Sequence, residues 1–335
     1  KKRGIHQVCI LEKTEHVGGR NVVHDFHGKM VSLGPGAFRG TDKHVLALVK
    51  ELKIPITCFD QMYDYTIPNY EPSWYNRIIR NWKGERGTST DAYLMKHFHG
   101  NKFLYQKFKK YSFYSDFFHD NDSYYAIKHY PPRDLYHNAS PRKMFLTKPD
   151  IHEIIRVLQR KLSKKIHIRS EVYRVERTSK GWYIHIRPQK CIFAKNLVVA
   201  TEYTGICDIV FQPPMKSIEC IRKYIGTNPF LRWYTYHTQV HVPRPILTDT
   251  IHKKVIPIDN HIMMSGYADN EDAIKLKQYL EKRSKAEHLK SLRKSIGSNG
   301  TVSAIRDSFY KFWKVMATTK TKPDVVATSV QVCLC

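Results

Sequence analysis

The sequence lacks the features of several well-known protein classes. It has no apolar run near the roughly 18 residues that span a bilayer, and no secretory signal. Its seven cysteines are odd in number and include no CxxC pair, a pattern that argues against a disulfide framework. No catalytic triad, metal-ligand constellation or P-loop is present. We therefore predict an intracellular protein of a reducing compartment, with no metal site.

Acidic residues are few relative to basic ones. Fifty-six Lys and Arg stand against 30 Asp and Glu, which gives a net charge of +26. A polyanionic partner, such as nucleic acid or an acidic protein surface, would explain the excess. The alternative is that the charges are spread over a solvated surface in a chain rich in Lys, Ile and Tyr. The length of 335 residues, with 41% hydrophobic residues, predicts a globular chain of two domains.

The stretch "HQVCILEKTEHVGGR" carries the strongest local signal. Its apolar run Val8–Leu11 predicts a short buried strand that ends on an acid, Glu12. In doubly wound sheets, an acid at this place accepts hydrogen bonds from the ribose hydroxyls of a dinucleotide. The Gly18-Gly19-Arg20 turn adds two residues without a Cβ and a guanidinium suited to phosphate. The alternative is an ordinary strand followed by a glycine turn.

The segment "LEKTEHVGGR" resembles the flavin-containing amine oxidase family, which includes monoamine, polyamine and L-amino-acid oxidases. By this resemblance, Glu12 would bind the ribose of FAD, and Gly18, Gly19 and Arg20 would line its pyrophosphate and flavin. A second block, "LGPGAFR", is similar to the family's turn under the flavin. Its matching positions are Gly34, Gly36 and Arg39, whereas Ser32 replaces the family's usual acid.

The family's GxGxxG turn, which places a pyrophosphate on a helix N-terminus, is missing from this sequence. The first residues, Lys1-Lys2-Arg3-Gly4, resemble the end of the helix that follows that turn. We expect either that the native protein has a further N-terminal piece, or that the dinucleotide site is lost. The sequence as it stands is therefore predicted to bind FAD weakly or not at all.

Several local patterns predict secondary structure between these blocks. Val22-Val23 and Met30-Val31 flank a His27-Gly28 turn and predict a hairpin. His24 and His27 on such a hairpin are more typical of solvent-facing residues than of metal ligands. Apolar spacing predicts a helix over residues 41–52.

Residues 63–141 are aromatic, basic and polar, and we interpret them as a helical part of a substrate domain. Within them, "KFLYQKFKKYSFY" has the aromatic and Lys interleaving of proteins that bind single-stranded nucleic acid. Aromatic residues at three- and four-residue spacing are more typical of a helix's core face.

A third block near residue 150 is again similar to the family. "KPDIHEIIRVLQRKL" predicts a helix that Asp150 caps, and alternating strands follow with a turn at Lys180-Gly181. By resemblance, Val172 would give backbone contacts to the adenine, and Thr201 would end the strand "NLVVAT" beside the cofactor. Glu202 departs from the usual proline-rich pair.

The next portion resembles the family's substrate-domain sheet, particularly the branch found in large DNA viruses. Most members carry a lysine facing flavin N5, and alignment of "PFLRWY" places Arg232 there. An arginine stays protonated and would order water or a carboxylate rather than shuttle protons.

"NGTVSAIRDSFYKFW" resembles the family's final helix, but the Gly-Glu segment that binds pyrophosphate is not found. Cys333 and Cys335 do not match the covalent flavin-cysteine motif, so any FAD would be noncovalent.

Together these blocks predict an α/β fold, α+β overall, with a discontinuous Rossmann-like FAD-binding domain and a substrate domain of mixed sheet and helices. The predicted cofactor-binding pieces are residues 1–60, 149–205 and 292–318. The predicted substrate pieces are residues 61–148 and 206–291, and residues 319–335 form a tail.

The favoured interpretation is a degenerate fold in a structural or polyanion-binding role, for instance a virion component that binds nucleic acid or capsid proteins. The alternative is an active FAD-dependent oxidase of amine C–N bonds.

Overall fold

The structure is a computed structural model and describes residues 7–112, 121–129 and 142–319. Of these, residues 7–61 and 142–218 form one compact unit, and the other described residues form a second. Both units mix helices with parallel and antiparallel strands, so the predicted α/β class, α+β overall, is confirmed. No helix in the described ranges is long and apolar enough to cross a membrane.

The described helices are α1 (Lys43–Glu51), α2 (Pro72–Arg80), α3 (Thr90–His97), α4 (Lys102–Tyr111), α5 (Ser123–His129), α6 (Glu153–Leu162), α7 (Tyr203–Asp208), α8 (Lys216–Tyr224), α9 (Asn270–Lys282) and α10 (Lys285–Ile296). The strands are β1 (Ile10–Leu11), β2 (Val23–Phe26), β3 (Lys29–Ser32), β4 (Phe38–Arg39), β5 (Ile56–Gln61), β6 (Asp64–Tyr65), β7 (Arg142–Thr147), β8 (Ile166–His167), β9 (Val172–Arg177), β10 (Trp182–Ile186), β11 (Lys190–Ala194), β12 (Val210–Gln212), β13 (Ile225–His237), β14 (Val240–His241), β15 (Ile246–Leu247), β16 (Lys254–Pro257), β17 (Ile262–Asp269), β18 (Thr301–Val302) and β19 (Ile305–Thr319).

The first unit contains four small sheets. β1 and β8 pair in parallel, with Ile10 opposite Ile166, and a second sheet has the order β11-β10-β9-β12. A third sheet has the order β4-β7-β5, and it packs with α1 and α6 around a core of Phe38, Val49 and Ile154. The fourth is the predicted hairpin β2–β3, which is confirmed. Its turn residues His27 and Gly28 have φ angles of 52° and 77°.

The second unit is built on a six-stranded sheet of order β19-β13-β17-β16-β15-β6. Helices α9 and α10 cover one face of it, because Leu231 and Trp233 of β13 pack in one core cluster with Ala273 and Leu276 of α9. Trp233 is also in ring contact with His288 of α10. The sheet lies in the portion that resembles the family's substrate-domain sheet.

Helices α2 to α5 form a separate core in the same unit. Aromatic side chains dominate it, and the buried ones are Tyr75, Trp82, Phe98, Tyr105, Phe108 and Tyr111. The spacing of "KFLYQKFKKYSFY" thus serves packing, since Phe108 is fully buried and stacks on Tyr75 at 4.8 Å between ring centroids. Phe113, Tyr114, Phe117 and Phe118 lie outside the described residues. Phe103 is the exception in α4, with 76% of its surface exposed.

Three local predictions need correction. The predicted final helix is wrong, because residues 305–319 form β19, which pairs along β13. Residues 292–318 lie in the second unit. Residues 197–200 are in no strand, and Val198 is 83% exposed. The helix predicted to be capped by Asp150 begins at Glu153, since the Asp150 carboxylate instead accepts hydrogen bonds from the His152 amide and the Arg156 side chain.

Candidate cofactor site

Glu12 lies at the carboxyl end of the parallel pair β1–β8. Its amide donates to His167 O at 2.9 Å, and its carbonyl accepts from Ser170 N at 2.8 Å, which fixes its backbone. Its Oε1 accepts from both the amide and the hydroxyl of Thr14, each at 2.8 Å. In open α/β sheets, ligands bind beyond the carboxyl ends of the strands. The carboxylate is therefore held where such a ligand would lie.

The turn Gly18-Gly19-Arg20 is supported from behind by α6. Gly18 has φ +109°, and a Cβ there would lie 3.1 Å from Ile155 Cγ2 and 3.2 Å from His152 Cε1. His152 Nδ1 donates to Asn21 O at 2.5 Å, which ties the residue after the turn to the same helix start. A Cβ on Gly19 would meet nothing within 4 Å. One side of the turn is thus packed and the other is open.

Gly34 brings the "LGPGAFR" block against this turn. A Cβ on Gly34 would lie only 1.8 Å from Arg20 O, so the two backbones approach too closely for any other residue. The guanidinium Nε of Arg20 lies 3.8 Å from Oε2 of Glu202, the residue that departs from the family pattern. Glu202 also accepts from the Thr204 hydroxyl at 2.9 Å. Arg20 is therefore already next to a carboxylate, a contact that the sequence did not reveal.

Replacing Gly34 with Ala should destabilise the first unit, because the new methyl group cannot fit against the Arg20 carbonyl without a backbone shift. Overpacking of this kind costs about 1–3 kcal/mol or more. The free energy of unfolding, measured by urea titration, would show the loss. Gly40→Ala is the matched control, since its Cβ would meet Phe145 at an ordinary 3.5 Å. Equal stability of the two variants would contradict the expected clash.

The other predicted cofactor contacts are spread over the first unit. Val172 begins β9 and is half-buried, opposite Ile186. Thr201 ends the non-strand run and packs on α7, since a Cβ on Gly205 would lie 2.9 Å from Thr201 Cβ. Arg39 lies on β4, and its amide donates to Asp42 at 2.7 Å. Gly36 belongs to the loop between β3 and β4.

Arg232 lies in the second unit, on β13, and is 6% exposed. Its Cζ is 5.2 Å from the ring centroid of Tyr267 and 5.5 Å from that of Phe230. Lys254 of β16 is 4% exposed, and its Nζ lies 4.6 Å from the same Tyr267 ring. Lys311 is the direct cross-strand neighbour of Arg232 on β19. The sequence pointed to Arg232 alone, whereas the fold surrounds it with cations and aromatic rings.

The first unit places an acid at a strand end beside a glycine turn, the arrangement that dinucleotide sites use. Consistent with this, the sequence profile of the family described as flavin containing amine oxidoreductase matches residues 1–82. The resemblance predicted from the sequence is thereby confirmed, and the family implies a flavin cofactor. The profile covers the segment that contains Glu12, the Gly-Gly-Arg turn and Gly34.

Solved structures give the same fold over most of the chain. A triple mutant of putrescine oxidase superposes with a TM-score of 0.70 at 11% identity, covering 92% of this chain and 79% of that one. Cyclohexylamine oxidase from Brevibacterium oxydans IH-35A superposes with a TM-score of 0.71 at 12% identity, covering 96% and 84%. At such identities the likeness establishes the amine oxidase fold. No curated protein matches the sequence.

The residues present fit part of an FAD site. Asn21, directly after the turn, has a buried Oδ1 that accepts no hydrogen bond in the described structure. Together with the open side of Gly19 and the held carboxylate of Glu12, this leaves polar groups at the carboxyl end of β1 for a ligand. Asn21 and His152 are site residues that the sequence did not single out. Within the described ranges, no group of three or more His, Cys, Asp or Glu side chains could hold a metal ion.

Proposed function

We propose that this protein is a flavoprotein of the amine oxidase type, which binds FAD noncovalently in its first unit and acts on the C–N bond of an amine. The observation that carries the proposal is the Glu12 carboxylate, held at the end of β1 beside a Gly-Gly-Arg turn that α6 and Gly34 brace. When bound, FAD would supply the redox chemistry: acceptance of a hydride equivalent from the carbon bearing the amine, with O₂ as the final oxidant. The structural relatives are named for putrescine and cyclohexylamine, so a small amine is the proposed substrate class.

The chain's own residues would bind the cofactor and orient the reacting groups. Glu12 would accept hydrogen bonds from the two ribose hydroxyls, and Arg20 would interact with negative charge next to the open face of Gly19. A guanidinium binds anions rather than shuttling protons, so the role of Arg232 would be to order water or a carboxylate group. The buried rings of Phe230 and Tyr234 beside it would exclude bulk water.

A second candidate function is polyanion binding without catalysis, as in a virion component. It is favoured by the net charge of +26 and by the exposure of the basic residues in and around α10. This function requires no cofactor.

The flavin spectrum of the purified protein tests the first proposal. Added FAD should bind with measurable quenching of its fluorescence, and Glu12→Ala should weaken that binding. Loss of a charge-assisted contact is worth about 1.5–3 kcal/mol, or roughly 10- to 150-fold in affinity.

Glu15→Ala is the matched control, since Glu15 is an exposed acid three residues along the chain, paired with Arg169. If FAD shows no binding to the unmodified chain, or if both variants bind it equally, the proposed site is refuted. Peroxide formation from an added amine would extend the proposal from binding to catalysis.

A further inference from the structure

The antiparallel strands β9, β10 and β11 present an outer face with exposed aromatic rings. Their inner face carries Val175, Ile184 and Ile186, all buried. On the outer face, Tyr183 is 44% exposed and Phe193 is 50% exposed. Large rings this exposed are uncommon next to a well-packed inner face, and contiguous exposed apolar patches mark binding sites.

The two rings form one platform. Tyr183 and Phe193 are direct cross-strand partners, and their ring centroids lie 5.3 Å apart in an edge-to-face arrangement. Gly181 at the β9–β10 turn has φ +154°, and a Cβ there would lie 2.7 Å from Phe193 Cζ. Because Gly181 has no side chain, the Phe193 ring can pack against the turn. Beside the rings is an open concavity of about 370 Å³, lined by Thr178, Ser179, Lys180, Tyr183 and Phe193.

The platform lies in strongly basic surroundings. Residues 172–195 contain six basic residues and one acid, Glu176. The acid is neutralised in place, because Arg174 binds its carboxylate at 2.5 Å and His185 Nε2 lies 3.2 Å from it. Among the remaining basic residues, Lys180 and Lys195 are exposed next to the two rings. Arg187 is also exposed, although its Nε lies 3.5 Å from Glu171. Arg177 and Lys190 are opposite Trp182 and Ile186, on the side of the inner-face residues.

We propose that this face binds single-stranded nucleic acid, with bases stacking on Tyr183 and Phe193 and the surrounding Lys and Arg contacting phosphates. Exposed rings amid cations are the two elements that single-strand binding needs, since every base has a π-face and every nucleotide a charge. A duplex keeps its bases stacked inside and would use only the cations. The inference rests on the second proposed function, polyanion binding, and names its ligand and its site.

The test is a fluorescence-anisotropy titration with labelled oligo(dT) and oligo(U), with labelled heparin as a polyanion that has no bases. Tyr183→Ala and Phe193→Ala should each weaken oligonucleotide binding about 5- to 150-fold, the range expected for one lost stacking contact. Heparin binding should be unchanged. Tyr183→Phe and Phe193→Tyr should bind oligonucleotides as the native chain does, because they keep the rings. Phe103→Ala, which removes a more exposed ring in α4, is the control and should have no effect.

The outcomes separate this inference from the function on which it rests. If the native chain binds neither heparin nor oligonucleotides, polyanion binding fails and this site fails with it. If it binds both, but Tyr183→Ala and Phe193→Ala change neither, polyanion binding stands and the stacking site is refuted. If both variants lose heparin and oligonucleotides alike, the rings act only through the local structure, and the stacking site is again refuted.

Discussion

Polyanion binding by this protein should weaken steeply as salt is added. Each neutralised phosphate releases counterions, so about six phosphate contacts would lower the affinity roughly a thousandfold between about 50 and 200 mM salt. The exposed basic residues in and next to α10 offer that number of contacts, and they are Lys282, Arg283, Lys285, Lys290, Arg293 and Lys294. The measurement is the slope of log affinity against log salt for a labelled duplex or heparin. A slope near zero would contradict the proposal that this protein binds polyanions through its positive charge.

Reversing two of these charges should lower both the affinity and the slope. Lys290 and Lys294 are one helical turn apart and exposed, so Lys290→Glu with Lys294→Glu changes one surface of α10. Two lost phosphate contacts should make the slope less negative by about 2. The helix should remain folded, because its capping box at Ser284 and Glu287 and its buried Leu292 and Ile296 are untouched.

The control for this pair reverses two exposed lysines of α1 instead. Lys43→Glu with Lys50→Glu gives the same change in net charge on another helix. If α10 is a contact surface, the α1 variant should keep the native slope. Equal losses in both variants would show that only the total charge matters, and α10 would have no special part.

Short-range features of the sequence predicted the local structure well. The hairpin β2–β3 follows from a His27-Gly28 turn between apolar pairs, and the hairpin β9–β10 follows from Lys180-Gly181, where glycine permits the turn backbone. Glu12 was singled out as an acid at a strand end, whereas Gly34 was singled out through the resemblance of its block to the family's turn under the flavin. These signals lie within a few residues of one another, so no tertiary information was needed.

The errors come from structure set by distant partners. Residues 305–319 were predicted as a helix, but their apolar and aromatic residues pair along β13, which is about 80 residues away in sequence. The run at 197–200 has the composition of a strand but lies in no sheet. Composition alone does not make a strand, because a strand also needs a hydrogen-bonded partner strand. Lys254 could not be placed beside Tyr267 from sequence, since their contact depends on the register of β16 against β17.

The second unit should lose stability between about pH 6.5 and pH 4, because its core holds buried neutral histidines. His252 is fully buried, and burial lowers its pKa to about 4 from the ordinary 6.5. Its Nδ1 donates to Ser265 O at 2.7 Å, and its Nε2 lies 3.0 Å from Ser291 Oγ. The rings of Trp233 and Tyr279 contact the His252 ring, and His288 contacts the same two rings. Burial also lowers the pKa of His237 and His288.

The direction of the pH effect on stability follows from comparing proton uptake by the unfolded and the folded chain. The unfolded chain takes up a proton on residue 252 near pH 6.5, whereas the folded chain resists it down to about pH 4. The stability is therefore full above pH 6.5 and falls as the pH drops toward 4, by about 3 kcal/mol for this one histidine. Urea unfolding of the second unit across this pH range, followed by tryptophan fluorescence, measures the loss.

His252→Gln separates titration from packing. The variant loses hydrogen bonds and should be less stable than the native chain near neutral pH, but its stability should fall less on acidification, because one proton-binding site is gone. His44→Gln, at an exposed position of α1, should leave the pH dependence as it is in the native chain. If the His252→Gln and native curves run parallel from about pH 6.5 to pH 4, this histidine does not set the acid sensitivity.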